Sequence, residues 1–238
     1  MSAFAVCDFS KWLQRLACGC LMAAAALPAV AQVNASLCGP IEGGGYGPFD
    51  YRVDRDKLPV VEHAHFTAEV EALVRGKSGA IGGDLNYTLR KFPNHHRALA
   101  AVMRYGEKSA SPQPRDLPLP VECYFDLATR FRADDVIVRM LYAKFLFSNR
   151  REQDANRQLT EVDRLSTDDP FSHYNVGLIY FEFKNYEQAL VQAHKAQQLG
   201  FNAEVLRDRL RAVGKWSDRV EAPVETLAPA VESVESKK

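Results

Sequence analysis

The chain has 238 residues, and its 30 Lys and Arg balance 30 Asp and Glu, so it carries no net charge at pH 7. With no basic excess to hold a phosphate backbone, nucleic acid is not an expected partner. Hydrophobic residues make up 47% of the sequence, the share of a chain that buries one ordinary core.

The chain opens with a targeting pattern. Lys11 and Arg15 flank an apolar stretch over 16–30, broken by Gly19 and Pro28, and Ala29-Val30-Ala31 precedes Gln32. A positive flank, an apolar run and a small-x-small end make 1–31 a signal peptide cleaved after Ala31, which predicts a periplasmic or secreted mature chain. The run is about 15 residues, short of the roughly 20 that span a bilayer. An uncleaved anchor is the other reading these flanks leave open. Lipid attachment at Cys18 fits less well, because Arg15 stands where a lipobox wants Leu. Cys7, Cys18 and Cys20 leave with the leader, and Cys38 with Cys123 remains. An even pair in an oxidising compartment points to a disulfide, which would restrict the unfolded chain by on the order of 4 kcal/mol. The competing reading is two free thiols, with Cys123 buried on a helix.

Residues 32–62 are extended, rich in Gly, Pro and aromatics, with turns at Gly43-Gly44-Gly45-Tyr46-Gly47-Pro48-Phe49. No Lys-Ser or Lys-Thr follows these glycines, so they are not a phosphate loop. Tyr46, Phe49 and Tyr51 are expected to pack on a helical body. N-terminal helices occupy 63–92. The first runs over 61–75, with Phe66, Val70, Leu73 and Val74 on one side and Gly76 ending it. The next is short, capped by Asp84 and carrying Leu85 and Leu89. A clearer helix spans 93–105, with Pro93 in its first turn and Ala98, Leu99, Val102 and Met103 at helical spacing. Four prolines make 109–120 a loop, and a helix over 119–131 carries Cys123, Tyr124, Leu127, Ala128 and Phe131. Two helical hairpins follow, 136–149 with 152–165 and 170–183 with 186–199. Asp134, Asp135, Asp168 and Asp169 precede their first helices as caps. An amphipathic helix over 202–213 carries Val205, Leu206, Leu210 and Val213, and the composition of 217–238 is that of a disordered tail.

The two hairpins superimpose at a shift of 34 residues, with Ala143 on Gly177, Leu146 on Tyr180, Ala155 on Ala189, Leu159 on Ala193 and Val162 on Ala196. A period of this length marks stacked helical units that bury their apolar faces only against neighbours. His173, Val176-Gly177, Tyr180, Ala189, Ala193 and Ala196 resemble the pattern of a tetratricopeptide repeat. The resemblance covers 93–213. It implies an all-α, antiparallel helix-hairpin solenoid of about three repeats plus a C-terminal capping helix: a degenerate unit over 93–133 with a long proline loop, units over 136–169 and 170–203, and a cap over 203–216. It also implies a groove, lined by the first helix of each unit, for another protein or a peptide. By analogy its positions are Asn94, Arg97 and Arg104, then Met140, Lys144 and Phe147, then Phe171, Tyr174, Leu178 and Phe181. Family members that clamp a C-terminal carboxylate use polar residues where this chain has Ala101, Ile137 and Leu141, so that activity does not carry over. Phe171, Tyr174 and Phe181 fit packing against a neighbouring unit equally well.

Catalytic patterns are sparse. Gly-x-Ser-x-Gly and His-Glu-x-x-His are absent, and no cysteine has a plausible base. His63 with His65, and His95 with His96, diverge on a helix and cannot chelate as an i, i+4 pair would. A site drawing one His from each pair is the remaining enzymatic alternative, and a purely structural subunit of a larger complex is the other. The expected function is a non-enzymatic scaffold or assembly factor of an envelope complex, with no cofactor, metal or small-molecule substrate.

Overall fold

The computed structural model describes residues 38–42 and 44–218, so the signal peptide expected over 1–31 and nearly all of the tail expected over 217–238 lie outside the described residues. Among the described residues the fold is all-helical: α1 (Leu58–His65), α2 (Ala68–Glu71), α3 (Ile81–Lys91), α4 (His96–Lys108), α5 (Val121–Phe131), α6 (Val136–Ser148), α7 (Glu152–Leu165), α8 (Pro170–Glu182), α9 (Tyr186–Gln198) and α10 (Glu204–Ala212). None of these helices is long and apolar enough to cross a membrane.

Two kinds of turn alternate from α2 to α8. One is a left-handed closure, in which a residue at positive φ lets the next amide reach back into the helix. Arg150 (φ 59°) and Lys184 (φ 63°) do this 34 residues apart. Arg151 N–H then donates to Leu146 O and Asn185 N–H to Tyr180 O, both at 2.9 Å. Leu73 and Ala110 play the same part after α2 and α4. The other turn leaves a helix through a residue that swings out of helical geometry to φ near −130°, Phe92, Arg132 or Ser166, and returns at once to an N-cap. His95, Asp135 and Asp169 are those caps, each accepting from the first-turn amides of α4, α6 and α8.

The alternation defines the helix pairs α2 with α3, α4 with α5, α6 with α7, and α8 with α9. Partners pack together, and the first helices form a row in which α2 touches α4, α4 touches α6, α6 touches α8 and α8 touches α10. The core runs continuously along this row, from Phe66 and Val70 to Leu206 and Leu210. Gly177 shows how closely the elements approach: a Cβ there would lie 2.5 Å from Leu206 Cδ2 and 3.2 Å from Gln192 Cβ. The small residue brings α8 against both α9 and α10.

Several boundaries differ from the sequence expectations. The helix expected over 61–75 is two, because Phe66 turns out of helical geometry (φ −133°, ψ 53°) and α2 lasts a single turn. Asp84 is not a cap. It lies in the first turn of α3, after Ala80, and accepts from the Lys77 and Ser78 amides at 2.6 and 3.0 Å, folding the preceding loop onto the helix. Pro93 stands in a turn ahead of α4, because His95 has the capping side chain. The N-terminal segment packs as its aromatics imply: Tyr51, Leu58, Val61 and Phe92 form a small core that Tyr46 and Phe49 cover. Gly47 (φ 91°) permits this, since a Cβ there would meet Lys91 O at 3.0 Å. Cys38 and Cys123 are joined as a disulfide, with Cα atoms 5.1 Å apart.

Candidate functional site

The positions expected to line one groove separate into distinct environments. Asn94 is fully buried and is not a groove residue. Its Oδ1 accepts from the Tyr51 amide at 2.9 Å, and its Nδ2 donates to Asp50 at 2.7 Å and Asp135 at 2.9 Å. Arg52 pairs with Asp50 and Asp134, and Arg132 reaches Asp50 at 2.7 Å. Burial would raise the Asp50 carboxyl, yet hydrogen bonds from the Arg52 side chain and amide and from Asn94 hold it well below the usual carboxylate range. This cluster ties the N-terminal segment to the caps of α4 and α6.

Arg97 and Arg104 are also engaged within the chain. Arg97 pairs with the Glu71 carboxylate, and Arg104 donates to Glu71 O at 3.0 Å. Lys108 donates to Leu73 O at 3.0 Å. Cations thus satisfy the open carbonyls at the end of α2, where a helix C-terminus favours positive charge. The cations of that end of the expected groove are exposed but paired with Glu71 of α2, a helix that sequence reasoning merged into one longer helix.

Four of the expected positions do converge. Met140, Lys144, Leu178 and Phe181 line one open cleft of about 600 Å³ between α6 and α8, with Arg209 of α10 at its edge. Buried Met140 and Ile179 are apolar residues of its lining. Lys144 pairs with Glu182 at 2.8 Å. Arg209, exposed on the other side, has no hydrogen-bond or ion-pair partner for its side chain among the described residues. The arrangement is an apolar trough edged by one cation that has no partner among the described residues. Asn175 and Glu182 were missed as lining residues, although the i, i+3 and i, i+4 spacing from Leu178 places them on its face of α8. Arg209 left no such signal, since its approach depends on how α10 crosses.

Phe147, Phe171 and Tyr174 lie elsewhere. Phe147 is buried and stacks on Phe183 at 4.7 Å, which makes it a packing residue between α6 and α8. Phe171 and Tyr174 meet Phe201 at 4.8 and 4.9 Å. Tyr174 is half-buried there, whereas Phe171 remains 59% exposed at the edge of the last pair.

The histidines are dispersed among carboxylates. His65 contacts Asp84 at 2.8 Å and stacks on Tyr87, His95 contacts Glu62 at 3.1 Å, and His96 contacts Asp135 at 2.9 Å, while His63 is exposed. Among the described residues no three of His, Cys, Asp and Glu are grouped so as to hold a metal ion. His173 is buried between Gln192 and Thr167 O, and Asp163 secures Gln192 from α7. The chain matches no family model, no curated protein and no solved structure.

Proposed function

We propose that this chain is an exported, non-enzymatic repeat module of the tetratricopeptide type that binds another protein or a peptide, serving as a scaffold or assembly factor in the cell envelope. The observation that carries the reading is the cleft of about 600 Å³ where Met140, Lys144, Leu178 and Phe181 meet. Its apolar lining and single free cation favour a partner segment that presents aliphatic or aromatic side chains and one acidic group opposite Arg209. Recurrence of caps and left-handed turns at 34 residues supports the family reading, and α10 covers the end of the row as a capping helix would. The Cys38–Cys123 bridge suits an oxidising compartment, as the leader pattern does.

The test is site-specific photocrosslinking in envelope extract. A crosslinker at exposed Asn175, on the cleft rim, is expected to give one discrete adduct, while one at Arg157 on α7 gives none. Arg209→Glu reverses an exposed charge without touching the core, and it should reduce the Asn175 adduct at least about tenfold while the circular dichroism stays unchanged. Equal labelling from both positions, or an adduct indifferent to Arg209→Glu, would remove the cleft as the docking site.

A further inference from the structure

A second, smaller cavity of about 280 Å³ lies between the N-terminal strap, α3 and α5, with Cys38 of the disulfide in its wall. Leu89 and Leu127 come from the two helices, Leu119 from the proline loop and Ile41 from the strap. Its volume is near the lower end of small-molecule sites, which begin at about 300 Å³. At that size it suits one aliphatic or aromatic side chain and its head group, and it is too small for a protein segment.

Two opposite charges stand in the lining. Arg90 comes from α3 and Glu42 from the strap, and their closest atoms are 3.5 Å apart, with the two side chains 48% and 62% exposed. Among the described residues no other ion pair engages either group. Beside Arg90, one turn earlier on α3, Asn86 accepts from the Tyr124 hydroxyl at 3.0 Å through Oδ1. That bond turns the amide so that Nδ2 has no partner among the described residues. The cavity therefore offers an apolar interior together with a guanidinium, an amide donor and a carboxylate.

We propose that this cavity binds a free α-amino acid with an apolar side chain. The side chain enters among Leu89, Leu119 and Leu127, the ligand carboxylate is held by Arg90 and Asn86 Nδ2, and its ammonium by Glu42. A fork of guanidinium and amide donors matches the two oxygens of a carboxylate. A monocarboxylic acid would leave Glu42 as an unanswered like charge, and an amine alone would meet Arg90. A ligand whose carboxylate and ammonium share one carbon replaces the exposed Arg90–Glu42 contact and leaves neither charge unanswered.

Calorimetry on the full, oxidised chain tests this with leucine and phenylalanine, against hexanoate and N-acetyl-leucine methylamide as probes lacking one or both charges. Saturable binding of the free amino acids is expected, at least about tenfold tighter than either control. Arg90→Gln should weaken leucine at least about tenfold. Glu42→Gln should weaken leucine similarly while leaving hexanoate unchanged or tighter. Both residues are exposed, so neither variant threatens the fold, and an unchanged circular dichroism spectrum checks that. No binding of either amino acid at millimolar concentration, equal binding of the uncharged amide, or indifference to Arg90→Gln would each overturn the proposal.

Discussion

His95 caps α4 where Asp135 and Asp169 cap α6 and α8, and it does so with a ring that titrates. The Ala98 amide donates to its Nδ1 at 3.2 Å, which leaves the ring proton on Nε2 facing Glu62 at 3.1 Å. Protonating Nδ1 would end the cap. Burial pushes the His95 pKa below its ordinary value of 6.5, and the neighbouring Glu62 offsets this only in part. The unfolded chain then takes up a proton near 6.5 that the folded chain refuses. Stability from this residue is complete above that pH and is lost as pH falls toward the lowered folded value. The thermal midpoint is accordingly expected to decline between about pH 7 and 5. Glu62, whose pKa the His95 contact lowers, acts further down the acid range. His95→Asn keeps a capping acceptor that does not titrate, so it should remove most of the slope in that window. It should also lower stability at pH 8 by about 1 to 3 kcal/mol, because the ring packs on Tyr51 and Phe66. Equal slopes in parent and variant would assign the acid sensitivity to another group.

Among the elements, α8 approaches α10 closely at Gly177. Replacing it by Val adds branched carbon where Leu206 Cδ2 already stands 2.5 Å from the Cβ position. Overpacking of this kind typically costs about 1 to 3 kcal/mol, more than the roughly 1 kcal/mol that a helix gains on losing a glycine. Gly177→Val should therefore lower the denaturation midpoint and raise hydrogen exchange in α10 first. Adding Leu206→Ala should recover part of the loss, although Leu206→Ala alone is destabilising. Additive losses would mean that the two residues do not collide. The same elements show what the sequence could reveal. Hairpins α6–α7 and α8–α9 were legible because apolar period, small residues and Asp caps all agree there. Asp134 and Asp135 look alike in sequence, but one pairs with Arg52 at the surface and the other is buried against Asn94 and His96. The pair α2–α3 was hidden because α2 is one turn long, and a single turn carries no period. Arg97 and Arg104, placed in the groove by analogy, are instead occupied by the end of α2. Met140, Lys144, Leu178 and Phe181 of the cleft followed from the family analogy, whereas Arg209 depended on a crossing between elements that no local pattern encodes.

Across the whole molecule, the strap from Cys38 to Tyr51 reaches over α3 and α5 and is fixed at several separated points. The disulfide holds one end, Arg130 donates to Gly39 O at 2.9 Å, Phe49 N–H donates to Lys91 O at 2.8 Å, and Asn94 accepts from the Tyr51 amide. The bridge spans 85 residues of sequence, a loop whose closure in the unfolded chain is entropically expensive. On the chain-entropy account its removal destabilises the fold by about 4 kcal/mol. The remaining attachments are unequal. Arg130 and Glu42 make exposed contacts of little individual weight, whereas Asp50 and Asn94 are buried and mutually satisfied. Replacing both cysteines by Ser should therefore leave the helical spectrum intact while shifting the denaturation midpoint strongly downward. Native-state hydrogen exchange should rise over 38–42 and stay low at Phe49 and Tyr51, dividing the strap at its glycine turns. Because Ile41 and Glu42 belong to the released part, amino-acid binding at the smaller cavity should weaken in the same variant, with the cleft of α6 and α8 unaffected. Retained protection over 38–42 would show that packing, and not the covalent bond, holds the strap in place.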